Sequence, residues 1–234
     1  MAVFALIPAR GGSKGIPRKN LVRICDRPLI EYSIRAARQA HSVDRVIVST
    51  DDPEIAEISL ACGAEVPFLR PAEFANDAAS MLSVLCHALE WCEKNSAEQI
   101  DALVLLQPTS PLRTARHVDG AVELFFKSGA SSVVSVIEVP HQFNPASVMS
   151  MKDGILQPYL ENDAQPTRRQ DKPRVFARNG PAVLVCCPAT LKSGELYGPK
   201  CVPYMMSAQD SLDIDEPMDI EQAEWLMKRR CDEG

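Results

Sequence analysis

The chain has 234 residues, 46% of them hydrophobic, enough to close one large α/β domain. A formal net charge of −6 argues against a surface for nucleic-acid polymers, and no run of about 18 apolar residues is present to span a membrane. Eight cysteines without a Cys-x-x-Cys pair and four scattered histidines argue against a zinc site and for reduced thiols in a cytoplasmic protein.

In chain order, Val3–Ile7 reads as a first strand, and the N-terminus enters it with no basic leader or cleavage site. A glycine-rich loop follows, then a helix over 29–39 in which Ile30, Ile34 and Ala37 share a face. Arg45–Ser49, Ala102–Leu106 and Ser132–Ile137 are further apolar strands, alternating with helices near 53–62, 80–94 and 115–127. This alternation predicts an α/β, doubly wound, mostly parallel Rossmann-like sheet with its ligands at the carboxyl ends of the strands. Residues 140–178 break the rhythm as an excursion within the single domain 1–234, carrying one strand-like piece, Gly154–Leu160. Regular structure resumes at Ala182–Cys187 and closes on a helix near 217–229.

Two motifs carry chemistry. Between strand and helix, Ala9–Asn20 holds three glycines (Gly11, Gly12, Gly15) and four cations (Arg10, Lys14, Arg18, Lys19). Such a loop brings backbone N–H groups and positive charge to a polyphosphate, with Lys19 expected to face solvent. It is neither a P-loop, since Ile16 follows Gly15, nor a dinucleotide fingerprint, since Arg10 stands where a glycine is needed. A solvated basic turn is the plainer alternative. Asp213-Ile214-Asp215 is the second motif: in extended chain the two carboxylates share a face and suit Mg²⁺, which takes a few carboxylates plus water and phosphate oxygens. Asp215 also fits a helix N-cap. Ser80 fits an N-cap or a ligand contact, Gln107 an amide satisfying loop backbone, and Arg168-Arg169 an exposed charge run.

Together these motifs carry a resemblance. Ala9–Asn20, Leu69–Glu73, Leu105–Arg113 and Asp210–Asp215 follow one another as in the acylneuraminate cytidylyltransferases, the CMP-sialic acid synthetases, and the similarity runs along essentially the whole chain. The resemblance implies a nucleotidyltransferase that joins CMP from CTP to the anomeric hydroxyl of a nonulosonic acid and releases pyrophosphate. It implies Arg10, Gly11, Gly12, Ser13, Lys14, Lys19, Asn20, Arg70 and Ser80 at the nucleotide, with Asn20 on the ribose and Arg70 on the cytosine. Gln107, Arg168, Arg169 and Tyr197 are implied at the acceptor, and Asp213 and Asp215 at Mg²⁺, with a metal-bound aspartate as candidate base. The excursion is implied to reach into a partner subunit of a homodimer. Asn179-Gly180-Pro181 and Leu196-Tyr197 depart from the common pattern, which leaves neuraminic, deaminated, legionaminic and pseudaminic acids open as acceptors. A nucleotidyltransferase for an eight-carbon ulosonic acid, a metal-dependent glycosyltransferase and a non-catalytic nucleotide sensor are the other readings.

Overall fold

A computed structural model describes residues 1–96, 99–160 and 168–232. In chain order the elements are β1 (Ala2–Pro8), β2 (Arg23–Ile24), β3 (Arg27–Pro28), α1 (Leu29–Gln39), β4 (Arg45–Ser49) and α2 (Pro53–Ala61). Next come α3 (Met81–Asn95), β5 (Ile100–Leu105), α4 (Ala115–Ser128) and β6 (Ser132–Glu138). The excursion holds β7 (Met149–Lys152), β8 (Ile155–Pro158) and β9 (Phe176–Arg178). The chain ends with β10 (Leu184–Cys186), α5 (Pro188–Lys192), β11 (Cys201–Met205) and α6 (Pro217–Asp232).

The sheet runs β11-β6-β10-β5-β1-β4, and β9 also pairs with β6. The pairs β1–β4, β1–β5 and β6–β11 are parallel, as the alternation predicts. Val3, Ala5 and Ile7 of β1 pack toward α1 and α4, while Phe4 and Leu6 pack toward α3, so both faces are covered. Helix starts are locally encoded. Asp52 accepts from the N–H groups of Glu54 and Ile55 at 2.9 and 3.1 Å, with Pro53 opening α2. Ser80 accepts from Ser83 N–H at 3.1 Å to open α3.

Three features add to these expectations. β9 and β10 run antiparallel to β6, because the chain returns from the excursion directly into the sheet without a crossover helix. They form one interrupted strand: Arg178 pairs with Val136 and Leu184 with Val134, so five residues, 179–183, bulge opposite Ser135. Gly180 takes φ +115° there, a conformation that favours glycine. Gly154–Leu160 is half of a two-stranded ribbon, β7–β8, turned by Asp153-Gly154 at φ +53° and +76°. Finally β11, with Pro203 inside it, went unforeseen. As an edge strand it tolerates the missing N–H.

The carboxyl edge of the sheet is tied together by Arg113, which is 3% exposed. Its Nη1 donates to the carbonyls of Gln107 (3.1 Å) and Ala182 (2.7 Å), and its Nη2 to Ser33 Oγ on α1. Burial lowers its pKa from the usual value to about 9, with Asp213 opposing the shift. Arg113→Met is expected to cost about 3–5 kcal/mol, because the buried Ala182 carbonyl and Ser33 hydroxyl lose their donor and Asp213 loses a nearby cation. Chemical denaturation measures this, and an unchanged midpoint would remove Arg113 as the clamp.

Candidate active site

The basic loop, the chain between α2 and α3, the Gln107–Thr109 turn and Asp215–Glu216 enclose a cavity of about 650 Å³ at the carboxyl edge. Gly11 and Gly15 allow the loop to pack this closely. A Cβ on Gly11 would stand 2.6 Å from Asp52 Oδ2, and one on Gly15 would stand 2.7 Å from the Asp215 carbonyl oxygen. Gly11 N–H donates to Asp51 Oδ1 at 3.0 Å, and Asn20 Nδ2 holds the Arg10 carbonyl at 2.9 Å.

Most of the residues expected at the site do line this cavity: Arg10, Gly12, Ser13, Lys14, Lys19 and Asn20 from the loop. Arg70, Gln107 and Asp215 join them from other elements. Arg70 is buried, donating from Nε to Ser49 Oγ (2.9 Å) and from Nη2 to the Ser49 carbonyl. Burial lowers its pKa to about 10, with Asp51 opposing. The Ser49 bonds fix the plane of the guanidinium toward the cavity.

Lys19 is not solvent-facing. Its side chain is 16% exposed and its Nζ donates to the Ile214 carbonyl (2.7 Å) and Asp215 Oδ1 (3.0 Å). The alternative of Asp215 as an N-cap also falls. Asp219 Oδ2 takes the N–H groups of Asp215 and Glu216 at 2.8 and 2.7 Å, which leaves the Asp215 carboxylate on Lys19. Ile214 is fully buried with Ile16, Ile24, Leu29 and Ala223, and its N–H donates to the Thr109 carbonyl at 2.8 Å. That anchor sets Asp213 and Asp215 on the other side of the extended segment.

Asp213 does not line the cavity. Its Oδ1 is buried with no hydrogen-bond partner, and burial raises its carboxyl pKa. The like charge of Asp215 raises it further, while Thr109 and Lys19 oppose. A buried carboxylate oxygen without a donor, beside a second carboxylate, suits a hard divalent cation. Among the described residues no third His, Cys, Asp or Glu joins them.

Other expected residues lie elsewhere. Gly11 packs behind the loop on Asp51 and Asp52, and the Ser80 side chain is used as the α3 cap. Arg168 is exposed on the excursion and lines neither this cavity nor its neighbour. Arg169 begins a short 3₁₀ turn, and its side chain lies outside the described residues. Tyr197 lines a second cavity of about 310 Å³, which shares Met81 and Gln107 with the first.

Several site residues were missed in the sequence. Asp77 bridges Arg10 (2.8 Å) and Lys14 (3.0 Å), which hold its carboxyl below the usual range. Asn179 joins the bulge to its surroundings: its Oδ1 accepts from Ser135 Oγ (2.5 Å) and its Nδ2 donates to Ser211 Oγ (2.7 Å). Arg178 lines the second cavity. Only Asn179 had a local signal, the Asn-Gly turn.

A cation-lined cavity at the carboxyl edge of a doubly wound sheet, with paired aspartates beside it, defines a nucleotide-handling α/β protein. The sequence profile of a family described as cytidylyltransferase matches residues 4–233, and the chain belongs to that family. CMP-N,N'-diacetyllegionaminic acid synthase of Legionella pneumophila is 30% identical over 97% of each chain. Pseudaminic acid cytidylyltransferase of Campylobacter jejuni is 31% identical over 97% of each chain. N-acylneuraminate cytidylyltransferase A of Danio rerio is 37% identical, with 97% of this chain matching 51% of that one. In fold, a solved CMP:2-keto-3-deoxy-manno-octonic acid synthetase complexed with CTP superposes with a TM-score of 0.72 at 19% identity, covering 98% of this chain and 100% of that one.

The unpartnered Asp213 oxygen yields a prediction. Asp213→Asn should raise the melting temperature in chelator by about 2–4 °C, the shift that ~1 kcal/mol makes in a chain of this size. A melt no higher than wild type would show that the buried charge is already compensated.

Proposed function

We propose that the protein joins CMP from CTP to the anomeric hydroxyl of a nonulosonic acid and releases pyrophosphate. One observation carries this reading: Gln107 borders two adjoining cavities, one cationic and one lined by Arg178, Tyr197 and apolar side chains. The first suits a nucleoside triphosphate, with Arg10, Lys14 and Lys19 on its phosphates. Arg70 has N–H groups beyond those bound to Ser49 and can donate to the cytosine carbonyl. The second cavity suits a sugar acid, positioned by Gln107 for in-line attack. Asp213 and Asp215 would hold Mg²⁺. When bound, that ion offsets phosphate charge and makes the attacking hydroxyl more acidic. Lys19 then has two tasks, holding Asp215 in place and donating to charge that develops as pyrophosphate leaves.

The working unit we propose is a homodimer built on the excursion. On the β7–β8 ribbon, Met149, Met151, Leu156 and Pro158 are cross-strand partners on one face, and all are exposed. The other face is mixed, carrying Ser150, Lys152 and Gln157 with Ile155. An apolar face on a projecting ribbon suits a second copy of the chain, and would bring Arg168 and Arg169 to the neighbour's acceptor cavity. Cys62, Cys86, Cys92, Cys186, Cys187 and Cys201 are free thiols, which fits our placement of the protein in the cytoplasm, and no helix among the described residues is long and apolar enough to cross a membrane.

Pyrophosphate release with CTP, Mg²⁺ and a panel of eight- and nine-carbon ulosonic acids tests the reaction. Turnover with CTP should exceed that with UTP by about tenfold or more, since one unpaired buried polar group costs about 1–3 kcal/mol. Equal rates would overturn the choice of nucleotide. Lys19→Met should lower kcat by about 10²–10³. A melt recorded beside the rate separates this from loss of the Asp215 tie, and wild-type turnover would leave Lys19 as packing alone. Met151→Asp should convert the dimer to monomer in sedimentation, and a wild-type sedimentation profile for that variant would remove the ribbon from the interface.

A further inference from the structure

Among the described residues, the cation of the second cavity has no counter-ion. Arg178 is exposed at the end of β9, and its side-chain hydrogen bond runs from Nη1 to the Tyr197 hydroxyl. The guanidinium carbon stands 5.0 Å from the Tyr197 ring centroid. No carboxylate among the described residues pairs with it. The four cations of the basic loop differ in this respect: Arg10 and Lys14 share Asp77, Arg18 has Asp52 and Glu54, and Lys19 has Asp215.

Position within the cavity sets what Arg178 can read. In the reaction proposed above, the attacking hydroxyl and the acceptor's carboxylate share one carbon. On that reading both lie where the cavities join at Gln107, beside the cavity that Lys19 and Asp215 line. Arg178 and Tyr197 line the outer cavity and not the inner one, so they face the part of the sugar remote from that carbon. The neighbouring wall is apolar, formed by Pro181, Leu184 and Leu196. A guanidinium has five N–H donors and no acceptor, so it pairs with oxygen and repels an ammonium group. Tyr197 accepts one of those donors and lies against the guanidinium, which orients the remaining N–H groups.

We infer that Arg178 is a specificity-determining residue of the acceptor cavity. It donates to a hydroxyl or acyl oxygen on the part of the sugar acid remote from the reacting carbon, and it rejects a free amine there. This rests on the cytidylyltransferase reading above. No bond is made or broken at Arg178, so its effect falls on acceptor binding and on discrimination among acceptors.

The test uses nonulosonic acids that differ at one remote carbon, bearing a hydroxyl, an acylamino group or a free ammonium, each assayed with CTP for pyrophosphate release. Arg178→Ala should raise KM for the oxygen-bearing acids by about 10–100-fold, the span of one charge-assisted hydrogen bond, and leave KM for CTP unchanged. The preference for hydroxyl over ammonium should fall toward one. Arg178→Lys should keep the rejection of ammonium while losing part of the affinity for oxygen, which a role in packing alone would not produce. If Arg178→Ala keeps the wild-type preference, or raises both KM values together with the preference intact, the inference fails and the underlying reaction stands. If the wild-type enzyme releases no pyrophosphate with any of these acids, the reading and the inference fall together.

Discussion

The arrangement of the site depends on a single buried guanidinium. Arg113 holds the Gln107 carbonyl after β5, the Ala182 carbonyl before β10 and the Ser33 hydroxyl of α1. These groups belong to strands that run in opposite directions and to a helix on one face of the sheet. The Gln107 carbonyl also takes Ser33 Oγ (3.2 Å) and Ser110 N–H (3.4 Å), and Arg113 joins this cluster to the Ala182 carbonyl. Lysine has no fork to reach them together, and a smaller polar residue has no reach. With that clamp in place, Gln107 is fixed between two cavities and the Thr109 carbonyl is set to receive Ile214.

The second constraint is the bulge opposite Ser135. The Ser135 hydroxyl accepts from Val183 N–H at 2.8 Å and donates to Asn179, which in turn reaches Ser211. One short strand residue thereby ties β6, the returning chain and the segment leading to Asp213. On either side of the bulge, Arg178 and Leu184 stand opposite Val136 and Val134, and both border the second cavity.

Much of this was legible in the sequence, and the rest was not for identifiable reasons. The runs Val3–Ile7, Arg45–Ser49 and Ser132–Ile137 are apolar because both faces of the sheet are covered, so local pattern sufficed for the parallel half. The basic loop was legible because glycines and cations adjoin in sequence. Arg113 was not, since an arginine beside a helix start reads as surface and its burial is set by Ala182 and Ser33, far along the chain. β9 was missed because its pairing depends on the bulge, and β11 because Pro203 excludes only an interior strand. The ribbon did have a local signal in Asp153-Gly154, the strongest two-residue hairpin turn, which the single-strand reading passed over.

Charge at the carboxyl edge is nearly self-neutralised without a ligand. Asp77 holds two loop cations and Asp215 holds a third, yet the Asp77 carboxylate is largely exposed. Exposed pairs contribute about 0–1 kcal/mol each, so triphosphate oxygens, with more charge and more acceptors, can displace Asp77 at small cost. The pairing keeps the loop ordered and avoids like-charge repulsion among Arg10, Lys14 and Lys19. Asp213 is the exception, a buried carboxylate with an orphaned oxygen, facing Thr109 rather than a cation within bonding distance. Such a group costs stability in the unliganded chain and gains a partner only when a cation arrives. The site therefore holds exchangeable pairs where an anion is proposed to enter and a buried carboxylate with an orphaned oxygen where a metal ion is proposed to bind.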